Sequence, residues 1–172
     1  MIEPRLELLG ESHLAGIAAL VDDAEMLRFT RVPEPVPNGF AAWWLRRYEE
    51  GRRAGSREGF AVVDAADGSF LGLALMASYD REARTAELGY AVVPAARGRG
   101  VATAALRRLS DWALDELGAE RLELFISPAN EASKRVAERC GYTLEGVLRS
   151  RYFKQGRRED TELWSRLPGD LE

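Results

Sequence analysis

From Thr85 to Leu114 the chain runs from an alternating, strand-like stretch, T-A-E-L-G-Y-A-V-V, through a proline and a loop with two glycines into a helix-forming run, V-A-T-A-A-L-R-R-L-S-D-W-A-L. No other stretch constrains the fold as strongly. Pro94 has no N–H to give a ladder, so strand pairing has to end there. The first turn of the following helix leaves its N–H groups unpaired, and its dipole favours negative charge. Gly98 and Gly100 remove the Cβ atoms that would block a phosphate and admit left-handed backbone. Arg97 and Arg99 are read as cationic forks beside that anion, and no acidic residue lies between Pro94 and Leu109. A phosphate-bearing ligand is expected on Gly98, Arg99, Gly100, Val101, Ala102 and Thr103.

Two other phosphate-binding patterns fail on this module. Gly98-Arg99-Gly100 begins like a dinucleotide fingerprint, but Thr103 stands where the third glycine belongs. The next strand, R-L-E-L-F-I-S, ends in Ser127 and not in a ribose-binding acid. No Gly-Lys-Ser/Thr follows, which removes the Walker pattern.

Arg97-x-x-Gly100-x-Ala102 resembles the pyrophosphate motif Q/R-x-x-G-x-G/A of the GNAT superfamily of acetyl-CoA-dependent N-acetyltransferases. Asn130 to Tyr142, N-E-A-S-K-R-V-A-E-R-C-G-Y, is similar to the second cofactor segment of that superfamily. The closing G-Y-T-L-E-G-V-L-R and G-R-R-E-D-T-E-L-W-S-R-L resemble the RimJ/RimL-like branch, as do the entry R-L-E-L-L and the P-E-P-V-P ahead of an aromatic helix. The likeness extends over roughly residues 5 to 167. It implies an α/β fold with a single mixed, mostly antiparallel sheet flanked by helices. It also implies one N-acetyltransferase domain over 1–172, acting on acetyl-CoA and an amine acceptor.

Length and composition agree with that expectation. A chain of 172 residues suits one domain, and 46% hydrophobic with 30% charged residues is ordinary for a globular protein. No run approaches the roughly 18 apolar residues of a membrane span, and the N-terminus lacks a signal-type apolar core. Cys140, the sole cysteine, permits no internal disulfide. A cytoplasmic protein, monomeric or homodimeric, without metal, membrane or nucleic-acid partner is expected. His13 has no ligand partners at matched spacing, and an acidic chain without interleaved aromatics is no nucleic-acid surface.

The acidic excess is local. Residues 1–50 hold 5 Arg and 9 Asp/Glu, a net of −4, whereas 51–172 hold 19 of each sign. Either this is a solvated face or it lines an acceptor site for a cationic amine.

Along the chain the patterns predict a strand at Leu6–Leu8 and a helix capped by Ser12 reaching about Asp22. A prolyl run at 33–37 precedes a helix capped by Asn38 and reaching about Arg53. A hairpin turns at Asp67-Gly68, and a strand follows from about Arg84 to Val93. The glycine-loop helix runs to Leu117, a strand covers 122–126, and Asn130 caps a helix that Gly141 ends. Two final strands, near 142–150 and 160–167, join through Gly156.

Acyl transfer to an amine needs a neutral amine, a held carbonyl, a stabilised oxyanion and a leaving thiolate. A lysine-like amine of pKa about 10.4 costs roughly 4.6 kcal/mol to deprotonate at pH 7, and an α-amine near 7.8 about 1. Glu87, on the strand leading to the loop, is the candidate base, directly or through water; the alternative is an exposed strand glutamate. The resemblance places oxyanion and pantetheine donors at Val92 and Val93, where the strand splays from its neighbour. It also places Asn130 against the pantetheine, a role compatible with helix capping. The tyrosine that many GNAT enzymes carry four residues before the terminal glycine is Ala137 here, which leaves Ser133 as the substitute proton donor and Tyr142 as a poorer one. Trp43, Trp44 and Tyr48 are divided between core and an acceptor pocket by their spacing. A non-catalytic CoA-binding sensor or scaffold is the alternative to an enzyme.

Overall fold

The structure, a computed structural model, describes residues 2–170. Among them, β1 (Pro4–Leu8) leads through a 3₁₀ turn into α1 (Leu14–Val21), α2 (Ala24–Phe29) and α3 (Phe40–Ala54). A meander follows, β2 (Glu58–Asp64), β3 (Phe70–Asp80) and β4 (Thr85–Val92). Then come α4 (Val101–Asp115), β5 (Arg121–Ile126) and α5 (Glu131–Arg139), and the hairpin β6 (Thr143–Lys154) and β7 (Arg157–Arg166). The strands form one sheet in the order β1-β2-β3-β4-β5-β7-β6, antiparallel everywhere except between β4 and β5. That is the mixed, mostly antiparallel α/β sheet expected from the sequence.

Each face carries its own apolar layer. In α4, Val101, Ala105, Leu106, Leu109 and Ala113 fall on one stripe. They bury against Ala86, Leu88 and Val92 of β4 and Leu122 and Leu124 of β5. Ala137 and Cys140 of the α5 segment join the same cluster. On the opposite face Ile17 and Leu20 of α1 and Leu45 of α3 pack on Ala61, Val63 and Leu73. Strand alternation therefore sends even-numbered residues of β4 under α4 and puts Glu87 on the α3 side.

Two cap assignments fail, and one helix goes unseen in the sequence. Ser12 lies inside the 3₁₀ turn Glu11–His13, where the Gly10 N–H is taken by His13 Nδ1 at 3.2 Å; α1 starts after it without a side-chain cap. Asn38 is displaced as cap of α3 by Gly39, whose φ of 75° makes the left-handed entry that a side chain disfavours. The short α2 is capped by Asp23, which accepts from the Met26 N–H at 2.9 Å. Six residues are too few to show a period in the sequence.

Gly72 sits opposite Val92 on the strand pair that supports the loop. A Cβ there would lie 2.1 Å from the Ala91 carbonyl oxygen, a backbone atom that cannot yield cheaply. Gly72→Ala should therefore destabilise the fold by about 1–3 kcal/mol, the usual range for overpacking. Urea unfolding checks this, and an unchanged midpoint would contradict it.

Candidate active site

Pairing between β4 and β5 covers only Thr85–Arg121 to Glu87–Glu123, while β4 stays paired with β3 as far as Gly72–Val92. Alternate residues of an antiparallel ladder aim their N–H groups to opposite sides. The Val93 N–H donates to the Leu71 carbonyl at 2.9 Å, which sets the phase: Ala91 also faces β3, and the N–H groups of Tyr90 and Val92 face the gap beside β5. Val93 is thus corrected as an oxyanion donor, because its hydrogen is already bonded. Val92 keeps that geometry, and Tyr90 joins it.

The loop beyond β4 has the form of an anion cradle. After a 3₁₀ turn at Pro94–Ala96, Gly98 and Gly100 take φ of 71° and 81°. Nothing lies within 4 Å of where their Cβ atoms would be, and both are exposed with Arg99. Gly100 caps α4, and the first loop-to-helix bond is Ala104 N–H to the Gly100 carbonyl, at 3.0 Å. The N–H groups of Val101, Ala102 and Thr103 are left at the helix end for a ligand.

Arg97 departs from its expected role. Its Nε donates to the Val92 carbonyl at 3.1 Å, and its Nη1 to Glu25 at 2.8 Å. Its Nη2 is ion-paired with Asp23, whose carboxyl it holds below the usual carboxylate range. The fork points at α2 and not at the phosphate cradle.

On the far side of the gap, Asn130 caps α5 by accepting from the Ser133 N–H at 3.1 Å. The polar side chain beside the Ser133 hydroxyl is Tyr90. Its phenol oxygen is buried without a hydrogen-bond partner, and burial pushes its pKa up to about 12. Sequence reading passed over Tyr90 as a strand residue; only the parting of β5 from β4 makes its position notable. Tyr142 bonds Ser110 at 2.8 Å in the core, with its pKa raised by burial, and is removed as a proton donor.

Glu87 lies at the vertex of the gap, as the last β4 residue paired with β5. Its Oε1 accepts from Arg31 at 2.5 Å and its Oε2 from Ser78 at 3.4 Å. Arg31 in turn stacks over Tyr152, 4.6 Å from the ring centroid. Glu87 borders a groove of about 330 Å³ together with Ser78, Thr85, Glu123, Phe125 and Arg151. Of Trp43, Trp44 and Tyr48 on α3, Tyr48 reaches this region: its phenol is pushed up to about 12 by burial and has Arg57, Glu87 and Arg31 as charged neighbours. Trp44 stacks behind it at 4.3 Å. Trp43 is 48% exposed, against Phe40 and under Arg47.

A second groove, about 590 Å³, runs between Arg28 and Phe29 of α2, Ser127 and Pro128 before α5, and the β6–β7 hairpin. Lys154 crosses it to donate to the Leu27 and Thr30 carbonyls at the end of α2, and pairs with Glu34 at 3.2 Å.

Residues 5–143 match the model of the acetyltransferase (GNAT) domain. The chain belongs to the GNAT acetyltransferase family. It is 34% identical over 106 residues to YdaF of Bacillus subtilis, provisionally named as a ribosomal N-acetyltransferase. That match covers 62% of this chain and 58% of YdaF. Two solved structures share the fold. One is RimL, a ribosomal L7/L12 α-N-protein acetyltransferase in complex with CoA (TM-score 0.87, 19% identity, 95% of this chain and 93% of that one). The other is spermidine N-acetyltransferase of Vibrio cholerae with CoA and spermine (TM-score 0.85, 22% identity, 98% of each chain). The RimJ/RimL-like resemblance read from the sequence agrees with the YdaF match.

Among the described residues this GNAT domain holds no group of three or more His, Cys, Asp or Glu placed to bind a metal, and no helix long and apolar enough to cross a membrane. Its cradle yields a direct test. Gly100→Val puts a branched side chain at a left-handed position facing the open N–H groups. We expect acetyl-CoA to raise the melting temperature of the wild-type protein by mass action, and Gly100→Val to lose that shift. A variant that retains it would contradict the assignment of the cradle.

Proposed function

We propose that this protein transfers the acetyl group of acetyl-CoA to a primary amine by direct attack in a ternary complex, and that the acceptor is an α-amine of the protein N-terminal type. The donor's pyrophosphate would lie on the N–H groups of Val101–Thr103, and its thioester carbonyl beside the N–H groups of Tyr90 and Val92. Those donors are preorganised by β3 and need no rearrangement when charge develops on the oxygen. Nitrogen attack forms the C–N bond, and collapse breaks the C–S bond with its electron pair going to sulfur. Glu87, at the vertex, takes the proton lost by the amine, directly or through water.

One observation carries the choice of acceptor: Asp23, Glu25, Glu34 and Glu87, four of the acids around the gap, are already paired with cations of the chain. Asp23 and Glu25 hold Arg97, Glu34 holds Lys154, and Glu87 holds Arg31. Asp80 caps its own turn at the Glu82 and Ala83 N–H groups, and Glu123 pairs with Arg121 at 2.7 Å. The N-terminal acidic excess therefore offers little unneutralised lining to a polycation. A weakly basic α-amine asks less of the site, because its free base is abundant near pH 7.8. The likeness to YdaF supports the same reading; the likeness to RimL is one of fold, and spermidine N(1)-acetyltransferase of Vibrio cholerae is similar in sequence as well, 27% identical over 101 residues, so the acceptor rests on the charge pairing.

A thiol-release assay with short peptides and with spermidine tests the acceptor. Peptides with free N-termini should be turned over and N-acetylated peptides should not, with spermidine at least tenfold poorer in kcat/KM. The KM for the peptide should change little with ionic strength. A preference for spermidine that weakens in salt would reverse the reading.

Glu87→Gln should lower kcat/KM by about 10²-fold, within the usual contribution of a general base. The loss should shrink as pH rises past the pKa of the acceptor. Wild-type rates at pH 7 would leave Glu87 as a structural partner of Arg31.

A further inference from the structure

The side chain of Arg97 is bonded to three groups, none of them on the glycine loop. It holds the last residue of β4 through the Val92 carbonyl, and it holds α2 through both Asp23 and Glu25. Asp23 has two duties, since the same carboxylate caps α2 at the Met26 N–H, 2.9 Å away. Its side chain is 15% exposed and that of Arg97 31%, so this pair is sheltered from the screening that weakens surface pairs.

At its other end α2 is held by Lys154, through the Leu27 carbonyl and the Thr30 carbonyl just beyond the helix. The next residue is Arg31, which occupies Glu87 at 2.5 Å. A helix of six residues, about 9 Å long at 1.5 Å per residue, thus spans from the donor loop to the acceptor vertex with its ends pinned. Arg97, at the start of the glycine loop, therefore meets through Asp23 a short element beyond whose far end lies the arginine on Glu87.

We infer that Arg97 is a positioning residue: through Asp23 it couples occupancy of the donor loop to the placement of Arg31 and the acceptor amine at Glu87. Resting on the acetyl-transfer reading above, this deepens it by making acceptor affinity depend on the donor. By linkage the coupling is reciprocal, so acceptor binding strengthens donor binding by the same factor.

Asp23→Asn isolates the pair, because asparagine caps a helix about as well as aspartate and loses only the charge. Acetyl-CoA Kd without acceptor should stay within twofold of wild type. Peptide KM should rise fivefold or more, the lower end of typical coupling factors. The tightening of CoA by saturating peptide, read by calorimetry without turnover, should fall to near unity. Arg97→Gln should have the same effect from the other side, and the double variant should be no worse than either single one. Peptide KM and CoA tightening both unchanged in Asp23→Asn would overturn the coupling. A rise in acetyl-CoA Kd for Arg97→Gln alone, with Asp23→Asn silent, would return Arg97 to the phosphate. Peptide turnover by the wild type separates the two readings: its absence counts against the acceptor, whereas its presence with an unaltered Asp23→Asn counts against the coupling alone.

Discussion

Three rungs of parallel pairing, from Thr85–Arg121 to Glu87–Glu123, hold the two halves of the sheet together before β4 and β5 part. Backbone N–H groups inside a protein are nearly always bonded, so a strand edge left open in mid-sheet is a demand for a partner. The Tyr90 and Val92 N–H groups carry that demand. The rest of the molecule keeps the edge open and oriented: β3 fixes its phase through the Leu71–Val93 bond, and α4 packs beneath it. Beyond it the glycine loop delivers a second set of free N–H groups from a helix end. Both sets are backbone, so the chemistry they offer does not depend on side-chain rotamers.

Charge is distributed so that cations of the chain hold acids across the gap. Arg97, Lys154 and Arg31 each come from one wall and pair with an acid on another. Pairs of this kind add little stability where they are exposed. Their consequence is geometric: they set where α2 lies and leave few free carboxylates for a polycation. The buried phenols are arranged differently. Tyr142 is satisfied by Ser110, whereas Tyr90 keeps an unbonded hydroxyl beside Ser133.

Local chemistry alone determined the glycine cradle, the Asn130 cap, the hairpin at Asp67-Gly68 and the stops at Gly118 and Gly141. Each rests on what a residue does to its own backbone, and neighbours in space hardly alter that. Glu87 was legible as a strand residue ahead of the loop for the same reason. Tertiary structure decided what no window of sequence holds: that Arg97 turns to residues 72 and 74 positions earlier, that Arg31 sits on Glu87, and that Val93 loses its N–H to β3 while Tyr90 keeps one. Long cationic side chains have many rotamers and choose among acids that only folding brings within reach. A backbone donor is free or bonded according to the strand beside it, and that strand is set by the whole sheet.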